Sequence, residues 1–183
     1  MTKLKRFLRF LFSKQSISES LSWGIDRNWG KMRPDYSVRK DLERMTVCQG
    51  VRVEVYWKKL KFGKGPAVSL FMLDEEILRI DCFGYGAGHM HAAFFLPGKG
   101  ENRFWMYEST VAEQVARARF ELSRNVHYYQ CRVPNPRIRA LKVDPQKMKE
   151  ASEWAFERMT SYIDVDSQLD KVTRDDAFSD DIE

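Results

Sequence analysis

The sequence predicts an α+β domain, in which an antiparallel sheet of about five strands is covered on one face by two helices. Hydrophobic residues alternate with polar ones in several short segments between residues 51 and 108. The connections between these segments have the length of hairpin turns, whereas parallel strands need long crossovers. Near residue 109 the hydrophobic period changes from two to about 3.6, which indicates that helices follow the strands.

The strand segments follow one another in the first half of this domain. VRVEVYW (51–57) alternates between apolar and mostly polar residues, as expected of a half-buried strand. Four more strands are predicted at AVSLFML (67–73), ILRIDCF (77–83), HMHAAFFL (89–96) and FWMYE (104–108). Glycine, proline and charged residues fill the gaps between them, as is typical of turns.

Two helices are predicted in the second half. Thr110 and Glu113 have the spacing of a capping box, and the apolar residues that follow predict a helix over 110–124. An aspartate followed by a proline begins a second helix, over about 145–163. The faces of these strands and helices predict a set of buried residues: Val53, Val55, Leu70, Met72, Ile80, Phe94, Val115, Leu122 and Ala155.

Three other segments have less regular patterns. VHYYQCRV (126–133) is predicted to be a further strand. PNPRIR (134–139) contains two prolines, which exclude it from a central strand. SVRKDLERMTV (37–47) could contain a short helical piece.

The domain is flanked by segments of opposite charge. Residues 1–46 contain eleven Lys or Arg and five Asp or Glu, whereas residues 166–183 contain two and seven. We divide the chain into a basic amphipathic helix (1–14), a linker or wrapping arm (15–47), the α+β domain (48–163) and an acidic, mobile tail (164–183). The three cysteines are an odd number without C-x-x-C spacing, which favours a reducing, cytoplasmic compartment.

The segment CFGYGAGHMHAAFF (82–95) contains the most distinctive candidates for a site. His89 and His91 lie two residues apart on a predicted strand, so their side chains point to the same face. Such a pair is a suitable start for a zinc or iron site, and His127, which begins another predicted strand, could complete it if the two strands are neighbours. Asp81 and Glu108 are possible additional carboxylate ligands. The alternative is that these histidines are ordinary polar residues of a strand, and no other cofactor is expected.

The glycines before this pair allow two interpretations. Gly84, Gly86 and Gly88 could expose backbone N–H groups to a ligand such as phosphate. A loop that needs positive φ angles explains the same glycines without any ligand, and we favour this second interpretation.

The N-terminal segment carries the strongest functional signal. Its apolar residues recur at helical spacing: Leu4, Phe7, Leu8, Leu11 and Phe12. Basic residues occupy the rest of its surface: Lys3, Lys5, Arg6 and Arg9. This pattern is typical of a helix that lies in a membrane interface, although the same stripe could bind a protein. No apolar run approaches the roughly 20 residues needed to cross a bilayer.

Single-stranded nucleic acid is a further candidate partner. The first predicted hairpin combines aromatic residues (Tyr56, Trp57, Phe62) with lysines (Lys58, Lys59, Lys61, Lys64), and a second basic cluster contains Arg132, Arg137, Arg139 and Lys142. Alternating aromatics in a strand are more often buried, and lysines at a hairpin tip are more often solvated.

These observations lead to one principal hypothesis and two alternatives. The first is a non-enzymatic accessory or binding protein that docks on a membrane surface, or on a membrane-protein complex, and is peripheral on the inner face of a membrane. The second is a metal-dependent enzyme that uses His89, His91 and His127. The third is a protein that binds single-stranded nucleic acid. The sequence does not decide whether the protein is an enzyme.

Overall fold

A computed structural model describes residues 38–93 and 102–171 of the 183-residue chain. The strands are β1 (Val38–Cys48), β2 (Val51–Leu60), β3 (Gly63–Met72), β4 (Glu75–Asp81), β5 (His89–Ala92) and β6 (Asn102–Trp105). The helices are α1 (Val111–Arg124), α2 (Val126–Gln130), α3 (Pro136–Arg139) and α4 (Pro145–Lys171). The described strands form one sheet in the order β1-β2-β3-β4-β5-β6, and every neighbouring pair is antiparallel. The predicted α+β class with an antiparallel sheet is therefore confirmed.

The two tight turns at one end of the sheet support each other. Leu73 and Asp74 both have positive φ angles of 48° and 64°, as a two-residue turn of the hairpin type requires. The backbone N–H of Leu73 donates to the carbonyl of Gly50 in the neighbouring turn, at 2.8 Å. Asp74 accepts from the Arg52 side chain at 2.7 Å. These contacts hold two non-glycine residues in a conformation that they rarely adopt.

One face of the sheet forms the hydrophobic core with the helices. The valines of β2 alternate with polar residues, and their side chains pack with those of α1 and α4. Helix α4 also reaches the edge strand β1, where the Tyr162 hydroxyl donates to the Asp41 carbonyl at 2.5 Å. Eight residues predicted to be buried are buried: Val53, Val55, Leu70, Met72, Ile80, Val115, Leu122 and Ala155. The ninth, Phe94, lies outside the described residues.

The opposite face of the central strands is polar and also buried. Its side chains are all at most 4% exposed: Glu54, Tyr56, Lys58, Ser69, Arg79, Asp81, His89 and His91. The alternation of residues 51–57 predicts a half-buried strand, but Glu54, Tyr56 and Lys58 are as inaccessible as the valines of β2. Because burying polar groups is costly unless they are paired, this face must be a connected network.

Two predictions of local structure are wrong. The described part of the segment 37–47 is not helical, because Val38–Cys48 is the edge strand β1, which occupies the end of the predicted linker. A bulge interrupts its alternation: Asp41 has a φ of 51°, and the pairing with β2 shifts between Lys40 and Glu43.

The predicted strand 126–133 is instead helical over Val126–Gln130. Its valine and tyrosine content is typical of a strand, but a hydrogen bond from the Tyr129 N–H to the Asn125 carbonyl forms a helical turn. The Gln130 side chain then donates to the carbonyls of Ile138 and Leu141 and holds the following segment in place. The exclusion of 134–139 from a central strand is confirmed, since Pro136–Arg139 is a short helix.

Helix α1 is confirmed together with its capping box. The Thr110 side chain accepts from the Glu113 N–H at 3.2 Å, and the Glu113 carboxylate accepts from the Thr110 N–H at 3.0 Å. Helix α4 begins at the predicted proline and continues to Lys171, beyond the predicted end. The predicted helix 1–14 and the tail after residue 171 lie outside the described residues.

Candidate metal centre

Asp81, His89 and His91 come together on the polar face of the sheet. Asp81 ends β4 and is paired with His89 in β5, while His91 is paired with Arg79. The ligand atoms that these three side chains offer all lie within 4.8 Å of one another, and all three residues are buried. His89 and His91 therefore point to the same side of the strand, as their spacing predicts.

Small residues of β3 allow a lysine to reach this cluster from two strands away. Lys58 in β2 is paired with Gly65, and Asp81 is paired with Ala67. Because neither residue of β3 has a large side chain, the Lys58 Nζ lies 2.8 Å from Asp81 Oδ2 across the intervening strand. Both side chains of this ion pair are buried.

The Asp81 carboxylate is the charge on which this network is centred. Besides Lys58, it has the Arg79 Nε at 3.7 Å from Oδ2. Arg79 in turn donates to Glu76 at 2.8 Å, and Glu76 accepts from Ser69, which is hydrogen-bonded to Tyr56. Removing one partner from such a buried pair is strongly destabilising, because the other charge is left uncompensated.

The hydrogen bond of one histidine determines where its proton lies. The Nδ1 atom of His89 is 2.8 Å from the carbonyl oxygen of Ala87, which can only accept, so Nδ1 carries the proton. Burial lowers the pKa of His89, against the opposing effect of the Asp81 carboxylate, so the ring is neutral. Its Nε2 atom therefore carries a lone pair; it lies 3.2 Å from Asp81 Oδ2 and has no hydrogen-bond partner among the described residues. Two electron-pair donors lie close together there without a proton between them, an arrangement that a cation would stabilise.

His91 is also neutral. Burial, together with the Arg79 guanidinium, lowers the pKa of His91 to about 2. Its Nε2 atom lies 3.8 Å from Asp81 Oδ2. Neutral imidazole is the form of histidine that binds metal ions.

Aromatic rings separate the cluster from solvent. The centroids of Phe62, Phe83 and Trp105 lie 5.7, 5.9 and 5.3 Å from that of His89. Phe83 is buried, whereas Phe62 and Trp105 are 50% and 60% exposed. The cluster therefore lies beneath an aromatic layer with one side in solvent, which lowers the local dielectric and strengthens the interactions inside.

The glycine loop before β5 is held by a glutamine of α1. The Gln114 side chain accepts from the Gly84 N–H at 2.9 Å, and donates to the carbonyls of Gly84 and Glu108 at 3.0 and 2.8 Å. Gly84 and Gly86 have positive φ angles of 79° and 70°. A Cβ at Gly88 would lie 2.2 Å from the Gln114 amide. Loop conformation and a close approach account for these glycines, and the Gly84 N–H that a ligand would need is bonded to Gln114.

Gln114 is not among the predicted site residues, although the sequence contains a signal for it. It lies three residues after Val111 and four before Ala118, on the apolar stripe of the predicted helix. A polar residue on such a stripe usually has a specific buried partner. Gln114 is fully buried, and its partner is the loop that leads into the histidine pair.

Two of the candidate ligands lie elsewhere. His127 is exposed on α2 and is not a member of the cluster, because the strand that would have placed it there is a helix. The Glu108 carboxylate lies 3.3 Å from Arg117 and is not a member either. Asp81, proposed as an additional ligand, takes the third position. Its partner Lys58 was interpreted only as a possible contact to nucleic acid.

Of the other candidate surfaces, the described residues include both basic clusters considered for nucleic acid, of which the second (Arg132, Arg137, Arg139 and Lys142) is exposed. Tyr56, Trp57 and Lys58 are buried and are not accessible for binding nucleic acid, whereas Lys61 and Phe62 are exposed. The docking residues of 1–14 lie outside the described residues. Within 38–93 and 102–171, no helix combines the length and hydrophobicity needed to cross a membrane.

In comparisons with known proteins, no family model, curated protein or solved structure matches this chain.

The fit between Gly88 and Gln114 is open to a direct test. We expect Gly88→Ala to lower the free energy of unfolding by about 1–3 kcal/mol, because the added methyl group overlaps the Gln114 amide. Urea denaturation of both single variants and of the double variant Gly88→Ala/Gln114→Ala measures their coupling. Gly88→Ala should cost much less when residue 114 is alanine. An equal cost in both backgrounds would show that the close approach is not the reason for the glycine.

Proposed function

We propose that this protein is a metal-dependent enzyme that binds an iron(II) or zinc ion through Asp81, His89 and His91. The observation that carries the proposal is the 3.2 Å separation of His89 Nε2 and Asp81 Oδ2, with the only proton of the neutral ring held at Nδ1 by Ala87. A metal ion bound by the imidazoles and the carboxylate would replace this unfavourable contact with coordination.

The donor set supports this choice of metal. Two imidazoles and one carboxylate are the ligands of many mononuclear iron(II) centres, and zinc binds the same atoms. Such a set leaves coordination positions open, at which a bound metal supplies an activated water or binds a substrate oxygen. The Ala87 carbonyl, bonded to the far nitrogen of His89, orients this ligand and increases its basicity.

Lys58 and Arg79 are positively charged and would repel a metal ion bound at this cluster. Lys58 contacts Asp81 Oδ2, whereas Oδ1 is buried and has no hydrogen-bond partner among the described residues. One oxygen can therefore keep the lysine while the other serves as a ligand. The lysine compensates the buried carboxylate in the metal-free protein, and it should moderate the affinity for metal.

Metal binding should stabilise the folded protein. At a free zinc concentration 100 times the Kd, binding to the native state adds about 2.7 kcal/mol, which raises the Tm of a domain of this size by roughly 5–10 °C. Differential scanning fluorimetry with zinc, and with iron(II) under anaerobic conditions, measures this shift, and titration calorimetry gives the number of sites. Asp81→Asn and His91→Gln should each abolish the shift.

His127→Ala is the matched control for the ligand variants. This exposed histidine should leave the metal-induced shift unchanged, because it is not part of the cluster. An unchanged Tm of the wild-type protein with both metals would refute the proposal, whatever the variants do. If His127→Ala lost the metal-induced Tm shift to the same extent, the metal would bind at a site other than this cluster.

Replacing Lys58 should separate the stability of the metal-free protein from its affinity for metal. Lys58→Met leaves Asp81 buried without its closest cation, so we expect it to cost about 3–5 kcal/mol in the metal-free state. The same change removes a repulsive charge, so zinc should bind about tenfold or more tighter. Chemical denaturation with and without zinc measures both effects, and Lys142→Met, at an exposed lysine, is the control. Weaker zinc binding by Lys58→Met would show that the lysine supports the site rather than competing with the metal.

We further propose that the protein docks through residues 1–14, and the apolar stripe of this segment is the observation that supports it. Burial of Leu4, Phe7 and Leu8 would each contribute about 1.5–3 kcal/mol before ordering costs. Each lysine or arginine adds about 1 kcal/mol at an anionic membrane. These contributions suffice for reversible binding of a peripheral accessory protein, and docking is compatible with catalysis in the domain.

Liposome co-sedimentation tests this second proposal. The intact protein should bind anionic vesicles at low salt, and binding should weaken as salt screens the basic residues. Deletion of residues 1–14 should abolish binding without changing the Tm of the domain. If the intact protein does not bind anionic vesicles, the membrane proposal is wrong, and disruption of a protein assembly by Phe7→Glu would indicate a protein surface instead.

A further inference from the structure

Three connections of the sheet meet at the end that lies next to the metal centre. Because consecutive strands are neighbours, alternate connections lie at the same end. The turn between β2 and β3, the glycine loop between β4 and β5, and the end of β6 therefore lie together. A hydrogen bond from the Met106 N–H to the Gly88 carbonyl, at 3.0 Å, joins the segment after β6 to the glycine loop.

Each of these connections exposes large aromatic side chains. Phe62 is 50% exposed, Tyr85 86%, Trp105 60% and Tyr107 99%. Phe62 and Trp105 both pack against the same buried ring, with centroids 5.7 and 5.3 Å from that of His89. No aliphatic residue at this end is among the large exposed hydrophobic residues of the described part of the chain. The surface therefore offers ring faces and edges rather than an aliphatic patch.

The charge of this end is positive. Lys61 and Arg103 are exposed next to Phe62 and Trp105, and the Arg103 guanidinium lies 6.0 Å from the centroid of the Trp105 ring. Of the described acids near these residues, Asp81 is buried with Lys58, Glu108 contacts Arg117, and Glu113 accepts from the Ser109 and Thr110 N–H groups. The exposed groups that a partner would meet are thus cations and aromatic rings.

We propose that this surface binds single-stranded nucleic acid, with bases stacked on Phe62 and Trp105 and phosphates bound by Lys61 and Arg103. Stacking on aromatic rings beside a positively charged groove is the general mode of recognition of single strands. Binding of nucleic acid in this way does not require a metal ion, although Phe62 and Trp105 both pack against His89. It also differs from the surface that the sequence suggests, since Tyr56, Trp57 and Lys58 are buried.

Fluorescence anisotropy with labelled oligonucleotides tests this surface. The intact protein should bind an oligothymidylate and the matching oligouridylate at low salt, and a duplex of the same length more weakly. Phe62→Ala and Trp105→Ala should each weaken binding of the single strands by about 5- to 150-fold, as expected for the loss of a stacking ring. The double variant Lys61→Gln/Arg103→Gln should reduce the slope of log K against log salt by about 1.4, because two phosphate contacts are lost.

Phe120→Ala is the matched control for the aromatic variants. Phe120 is 51% exposed on α1, and the Arg117 guanidinium lies 6.0 Å from the centroid of its ring, so its size, exposure and charged neighbour match those of the proposed site. This variant should bind normally, and thermal melting confirms that each variant is folded.

Three results would overturn the proposal. The first is the absence of oligonucleotide binding by the folded wild-type protein at low salt. The second is that single strand and duplex bind equally and that Phe62→Ala and Trp105→Ala do not weaken the binding. This result would indicate electrostatic attraction alone. The third is that the protein binds anionic vesicles but not oligonucleotides, and that Trp105→Ala abolishes the binding of vesicles.

Discussion

A carboxylate without access to water must be compensated by nearby donors or cations, and Asp81, the last residue of β4, imposes this requirement on the strands beside it. Lys58 meets it only because Gly65 and Ala67 leave the space above β3 open. Arg79 lies close to the same carboxylate and also bonds Glu76, which connects the centre to the rest of the polar face. The hydrophobic face of the sheet is thus stabilised by the apolar surface that it buries, whereas the polar face depends on specific hydrogen bonds and ion pairs.

The parts of the fold that could be predicted are those that a local pattern determines. The hairpin strands have clear alternation and glycine or acidic turns, and α1 begins with a capping box, so each is visible within about ten residues. Strand β1 was missed because the bulge at Asp41 shifts its alternation by one residue. Helix α2 was misassigned because its valine and tyrosines are residue types that favour strands. The Gln130 side chain holds the following segment by donating to the carbonyls of Ile138 and Leu141, and a local pattern does not reveal these contacts.

The site was predictable to the extent that it lies on one strand. Two histidines two residues apart share a face whatever the rest of the fold, and Asp81 precedes them by one connection. Lys58 could not be predicted as the partner of Asp81, because this requires the register of two hairpins and the small size of the residues between them. His127 was assigned to the site on the assumption of a strand, and its helix places it in solvent.

The order of the elements along the chain has a consequence for synthesis in the cell. The six strands of the described residues are complete by Trp105, but the helix that covers β1, β2 and β3 begins only at Pro145. At about 5–20 residues per second, the ribosome adds the intervening segment in roughly 2–8 s. During this interval the valine-rich face of a nascent sheet has no α4 to cover it, so this stage of translation is the one at which a chaperone would protect the chain from aggregation.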